Sequence, residues 1–368
     1  IFNITLDILV SLYKDSLARY AKPMQDKITN INVDELSLLA NPETIKQAAP
    51  LTDQAADLVL NSRNDIAAII KGTDTRPLII VGPCSIHDPH AAIDYAKKLA
   101  QLRQDLIDKC FIVMRVYFEK PRTTLGWKGL INDPDMDKSY NIEKGLQTAR
   151  EILVTILELG LPTASEMLDT IVPQYIADLV CWASLGARTT ESQPHREMAS
   201  GLSMPVGFKN ATNGDTSVAI NAMKVAKHHH CFLGTNKEGQ ISYVNTKGNP
   251  NCHLILRGGA TGPNFDPITI KACSKELIES DLSDRIMIDC SHGNSKKQQV
   301  NQPSVFNNVM HQINSGTNRI LGVMLESNLH AGNQSIPANL SDLEYGISVT
   351  DECMDWDTTE SLIRDAFK

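Results

Sequence analysis

From Pro77 to Leu325 the sequence repeats one pattern eight times: a short apolar run, an abrupt end, and in most cases a longer helical stretch. The runs are 77–81 (PLIIV), 111–117 (FIVMRVY), 161–165 (LPTAS), 182–187 (WASLGA), 205–208 (PVGF), 253–257 (HLILR), 285–290 (RIMIDC) and 320–325 (ILGVML). Stretches such as AAIDYAKKLAQLRQDL, GLQTAREILVTILELG and PSVFNNVMHQINS separate them. Strands of a parallel sheet are covered on both faces, so they read as continuous apolar runs. Eight β-α repeats are the number that closes a parallel barrel, and the expected fold is an α/β TIM (β/α)8 barrel. An open doubly wound sheet is the alternative, because spacing alone does not prove closure.

Two segments fall outside the repeat. Residues 1–76 read as a polar helical extension, expected to serve oligomerisation or regulation. In residues 230–246, HCFLG and QISYVNT flank Asn236, Lys237, Glu238 and Gly239, the signature of a β-hairpin. The predicted organisation is an N-terminal extension (1–76) and a catalytic barrel (77–368) carrying that hairpin as an insertion.

Composition excludes several classes of function. A net charge of −8 argues against nucleic acid as a partner. No apolar run reaches the roughly 18 residues of a membrane span. The opening stretch IFNITLDILVSLYKDS lacks the basic region and cleavage site of a signal peptide, and its first residue is Ile rather than Met, which leaves the true start open. The eight cysteines are scattered, with no CxxC, and are expected to be reduced thiols of a cytoplasmic protein. No GxGxxG or phosphate-loop motif stands between a strand and a helix.

Residues just past the strands of such a barrel share one site. In chain order these are Cys84, then Arg115 with Lys120 and Arg122, then Glu166, Arg188, Lys209, Arg257, His292 and Glu326, with Asp351 further on. Cys84, His292, Glu326 and Asp351 offer S, N, O and O donors, which suit one divalent first-row ion: Mn, Fe, Co, Zn or Cu. The arginines and lysines repel one another unless anions join them, and guanidinium groups bind phosphate and carboxylate bidentately. Residue chemistry alone thus predicts an enzyme that binds one or two phosphorylated acids beside a metal. Each residue also has a plainer reading: Cys84 as core, His292 as a turn cap, Glu326 as a strand end, Arg188 or Arg257 as a structural ion pair. His228, His229 and His230 read as a helix end and loop, and Lys296 and Lys297 as a solvated face.

The stretches GPCSIHDP, MRVYFEKPRTTLGWKGLINDP, GARTTESQPHREMASGLSMPVGFKN, LILRGG, IDCSHGNSKKQ, MLESNLHAGNQS and YGISVTDECMDW resemble type I 3-deoxy-D-arabino-heptulosonate-7-phosphate (DAHP) synthase, in its tyrosine-sensitive form. The resemblance spans residues 82–356. It implies condensation of phosphoenolpyruvate with D-erythrose 4-phosphate and water, giving DAHP and phosphate, the first step of aromatic amino acid biosynthesis. It places the metal on Cys84, His292, Glu326 and Asp351. It places phosphoenolpyruvate on Arg115, Lys120, Glu166, Ala187, Arg188, Lys209 and Arg257, and the aldose on Lys120 to Thr123, with Arg122 taking its phosphate. Lys120 and His292 are the implied candidates for proton handling, and Asp351 and His292 are expected to touch substrate as well as metal.

The resemblance further implies a homodimer or homotetramer, and an aromatic amino acid effector bound near Pro173, Gln174, Leu202, Ser203, Phe232, Gly234 and Val244. Glycine at 234 favours tyrosine, since a missing side chain leaves room for a phenol hydroxyl; phenylalanine is second. Two rival functions are a condensation with arabinose 5-phosphate, as in 3-deoxy-octulosonate 8-phosphate synthase, and a non-catalytic barrel that binds a phosphorylated metabolite.

Overall fold

The computed structural model describes residues 28–368. Strands β1 (Leu78–Gly82), β2 (Phe111–Arg115), β3 (Thr163–Glu166), β4 (Trp182–Leu185) and β5 (Val206–Lys209) run side by side. After a hairpin of β6 (Cys231–Thr235) and β7 (Ile241–Asn245), strands β8 (Cys252–Leu256), β9 (Ile286–Asp289) and β10 (Ile320–Glu326) complete a closed barrel. All barrel pairs are parallel, and β10 returns to β1 with Ile80 opposite Met324 and Gly82 opposite Glu326. The eight expected runs are these eight strands, with ends shifted by one or two residues.

Every residue of the barrel strands is buried, as continuous apolar runs require. Trp182 fills space beside Gly207, where a Cβ would stand 2.6 Å from the indole, and its Nε1 donates to His253 Nε2 on β8 at 3.3 Å. Gly82 is glycine for a similar reason: a Cβ there would meet the Arg115 carbonyl at 2.6 Å. The chain therefore leaves β1 close against β2, which brings Cys84 and Arg115 together.

Residues 1–27 of the expected extension lie outside the described residues. Residues 28–39 hold a turn followed by chain in no regular element. They fall outside the compact unit Ala40–Lys368. Helices α1 (Pro42–Ala48) and α2 (Asp53–Lys71) thus belong with the barrel. Thr52 caps α2 by accepting from the Ala55 N–H, and Gly72, at φ 76°, ends it in a left-handed turn. One face of α2 buries Ala55, Val59, Ile66 and Ile69, and each large aliphatic contributes about 1.5–3 kcal/mol. Arg63 donates to the Ala177 and Val180 carbonyls ahead of β4, and the Ile70 carbonyl accepts from Ser283 ahead of β9. The helix lies under the strand starts, opposite the rim that carries the polar residues.

The hairpin stands outside the barrel sheet, with Leu233 opposite Tyr243. Its turn closes through Asn236 and Gly239, at φ 76°. No helix among the described residues is long and apolar enough to cross a membrane.

Candidate active site

A pocket of about 710 Å³ opens at the C-terminal rim of the barrel. Arg115, Lys209 and Glu326 end their strands, and Glu166 ends β3. The loops that follow turn polar side chains over one mouth. Lys120, Arg122 and Thr123 line it from the loop after β2, Ala187 and Arg188 from β4, Arg257 from β8, and His292 from β9. Asp351 arrives from the segment after β10, which is held back on the rim by bridges between Ser327 and Met354 and between Gly332 and Cys353.

One donor atom each from Cys84, Glu326 and Asp351 lies within 4.8 Å of the others. His292 flanks this cluster, its Nε2 4.0 Å from Glu326 Oε1. The backbone of His292 is left-handed, at φ 54°, and its Nδ1 is occupied by Asp289 at 2.9 Å and Ser291 at 2.7 Å. That leaves Nε2 toward the donors. Three of the four expected ligands therefore share a point, with the fourth beside them. The mixed S, N and O donors, with Cys84 and Glu326 buried and Asp351 open to the pocket, fit a divalent first-row ion.

Cations surround the cluster. Arg115 pairs with Glu326 at 2.7 Å, both almost wholly buried, and its Nε donates to the Pro83 carbonyl. Lys120 stands 3.1 Å from the Cys84 sulfur. Lys209 pairs with Asp289 at 3.0 Å. Arg188 reaches the Pro121 carbonyl at 3.1 Å, tying the β4 rim to the β2 loop. Burial, reinforced by the Glu326 carboxylate, pushes the Cys84 thiol above its ordinary range. That shift argues against an activated nucleophile; a ligand role needs the thiolate too, and a bound divalent ion would supply the charge that forms it. Burial, the largest single influence, would raise Glu326, but the Arg115, His292 and Lys120 charges together outweigh it and hold the carboxyl low. Burial would likewise depress Lys120, yet Cys84 and Glu326 keep its ammonium above the usual value. Glu166 keeps one carboxylate oxygen buried without a donor at the pocket wall.

Two polar groups escaped the sequence reading. Asp289, fully buried, holds both Lys209 and His292; its signal was an acid ending the run IMID. Lys297 is exposed, as a solvated face predicts, and it also lines the pocket. Its left-handed backbone, at φ 60°, and its N–H bond to the His292 carbonyl fold it back onto the pocket. Lys296 is exposed, as expected, and the His228 and His230 rings bond the Lys224 and Val225 carbonyls at a helix end.

Among the expected effector residues, Phe232 and Val244 are cross-strand partners in the hairpin, and a Cβ on Gly234 would stand 2.8 Å from the Val244 side chain. Leu202 and Ser203 follow the helix Gln193–Gly201, whose Ser200 bonds Thr246 at the hairpin base. Pro173 and Gln174 begin the short helix Pro173–Ile176.

Residues 46–364 match the model of the DAHP synthetase I family. The chain is 50% identical to the Tyr-sensitive phospho-2-dehydro-3-deoxyheptonate aldolase of Escherichia coli (strain K12), over 93% of this chain and 96% of that one. It is also 50% identical to the Phe-sensitive enzyme of the same strain, over 91% and 95%. A solved phospho-2-dehydro-3-deoxyheptonate aldolase from Francisella tularensis SCHU S4 superposes with a TM-score of 0.88 at 51% identity, covering 91% of this chain and 98% of that chain.

Proposed function

The chain belongs to the DAHP synthetase I family and is an enzyme of that condensation, and from that premise we propose how its residues divide the work. Phosphoenolpyruvate and erythrose 4-phosphate enter the rim pocket, and DAHP and phosphate leave it. The observation that carries this reading is the convergence of Arg115, Lys120, Arg188, Lys209 and Arg257 on a pocket beside the Cys84, Glu326 and Asp351 donors.

A divalent ion held by Cys84, His292, Glu326 and Asp351 would polarise the aldehyde oxygen as a Lewis acid. The phosphoenolpyruvate C3 attacks the aldehyde carbon, water adds at C2, and the resulting hemiketal expels phosphate. Arg188, Lys209 and Arg257 hold the phosphate and carboxylate of phosphoenolpyruvate through these changes in charge. Asp289 fixes Lys209 and turns His292 so that Nε2 faces the cluster. Lys120 hydrogen-bonds or protonates the developing alkoxide, and His292 is placed for the water step. Arg122 and Thr123 take the aldose phosphate.

Regulation by an aromatic amino acid is part of the proposal, with tyrosine first and phenylalanine second. It is supported by the names of the Tyr- and Phe-sensitive relatives and by Gly234 in the hairpin. The assembly is a homodimer or homotetramer. Eight cysteines without a disulfide fit a cytoplasmic setting.

Phosphate release with each aldose tests the function. Release from phosphoenolpyruvate is expected with erythrose 4-phosphate and not with arabinose 5-phosphate. Release with arabinose 5-phosphate would move the enzyme to the rival condensation, and release with neither would make the barrel a binding protein.

A further inference from the structure

We propose that Gly126 is a positioning residue for Arg122: the bare glycine backbone is the platform on which the guanidinium lies, and this seat fixes its aim into the pocket. The inference rests on the reading of Arg122 as the aldose-phosphate cation.

The loop after β2 is pinned at its base. The Lys120 N–H donates to the Lys128 carbonyl at 2.8 Å, and the Trp127 indole N–H donates to the Asp133 carbonyl at 2.8 Å. Between these anchors Arg122 is exposed and makes no hydrogen bond or ion pair among the described residues. A long, unanchored side chain pays rotamer entropy when a ligand orders it. One contact limits that freedom here. A Cβ built on Gly126 would stand 2.5 Å from the Arg122 Nη2, 2.6 Å from Nε and 2.9 Å from Cζ. Three atoms of the guanidinium plane thus crowd the space that any side chain at 126 would occupy.

The glycine is not explained by backbone conformation. Its φ lies outside the left-handed region, so other residues could adopt the same backbone. What excludes them is the guanidinium. The clash would fall on the far end of a flexible side chain, so alanine at 126 displaces Arg122 rather than the fold. Arg122 borders the main pocket and also a neighbouring cavity of about 350 Å³ lined by Glu119, Gly126 and Asp169. Displacement therefore has somewhere to go, and it takes the cation out of the main pocket.

The test is a double-mutant cycle of Gly126→Ala and Arg122→Ala, read as KM for each substrate. Gly126→Ala should raise KM for erythrose 4-phosphate about tenfold, a fraction of the value of a charge-assisted bond, while KM for phosphoenolpyruvate moves less than twofold. In the Arg122→Ala background the same substitution should change little, because the group it displaces is gone. Arg122→Lys, which keeps the charge but lacks the plane, should raise the aldose KM even if Gly126→Ala fails to fold. An aldose KM untouched by Gly126→Ala, or raised equally with and without Arg122, would overturn the inference while leaving Arg122 as the phosphate cation. If Arg122→Ala itself leaves the aldose KM unchanged, the underlying reading falls and the inference with it.

Discussion

The Lys120 ammonium lies 3.1 Å from the Cys84 sulfur and 3.2 Å from the Cys84 carbonyl oxygen. A cation from the loop after β2 thus touches a proposed metal donor from the loop after β1. The contact makes the two roles separable. Lys120→Met should lower turnover at least about a hundredfold, the scale of one lost electrostatic contact in a transition state. It should not lower the divalent metal retained after dialysis, because the variant removes a positive charge beside the donors. Metal content by atomic absorption, alongside turnover, checks this. Loss of both would mean that Lys120 holds the site together rather than acting on substrate.

Arg115 and Glu326 form a pair that is 1% and 2% exposed. Removing one partner strands the other charge out of water, which costs about 3–5 kcal/mol. Arg115→Ala should therefore lower the thermal midpoint by several degrees in chelator, and added divalent metal should restore part of the loss by replacing the missing charge. A midpoint equal to the wild type in chelator would show that Glu326 does not depend on this arginine.

His253 supplies a pH dependence away from the rim. Burial pushes its imidazole down from 6.5 to about 3, and Nε2 accepts from the Trp182 indole. The folded protein keeps the ring neutral while the unfolded chain protonates it, so the unfolded state binds more protons between those values. Stability is then complete above about pH 6.5 and falls as pH drops toward 3, at up to about 1.4 kcal/mol per unit from this group. Urea midpoints measured from pH 7.5 to 5 should decline, and the decline should be shallower in His253→Gln. Equal slopes would remove His253 as the cause.

The barrel was legible because its strands are buried on both faces, so that runs such as PLIIV and RIMIDC announce themselves. The meeting of Cys84 and Glu326 was legible because strand-end position and donor chemistry agree, and Asp351, far past the last strand, joins them through the segment that follows β10. The place of α2 was not. A helix under the strand starts has the same one-sided apolar pattern as an extension that packs elsewhere, and only the Arg63 and Ile70 contacts tell them apart. Lys297 was hidden for a different reason. A lysine in a polar loop reads as solvated, and its return to the pocket depends on a left-handed backbone that its residue type does not announce.

Gly234 faces Val244 closely enough that a Cβ would stand 2.8 Å from its Cγ2. Gly234→Ser would press on Val244 and crowd the space proposed for a phenol hydroxyl. Half-maximal inhibition should need about tenfold more tyrosine, with a smaller change for phenylalanine, since a lost hydroxyl contact and added bulk act on the same ligand. Inhibition curves for both amino acids check this. A larger change for phenylalanine would reverse the proposed effector order, and no inhibition of the wild-type oligomer by either would remove the effector site.

The most direct test is turnover in protein verified free of metal. Protein dialysed against chelator and assayed with phosphoenolpyruvate and erythrose 4-phosphate should release no phosphate. Adding about one equivalent of Mn, Fe, Co, Zn or Cu should restore release, in proportion to metal bound, and Cys84→Ala should not recover it, having lost the only soft donor of the set. Full turnover in the metal-free protein, or in Cys84→Ala without bound metal, would contradict a metal-dependent condensation at Cys84, His292, Glu326 and Asp351.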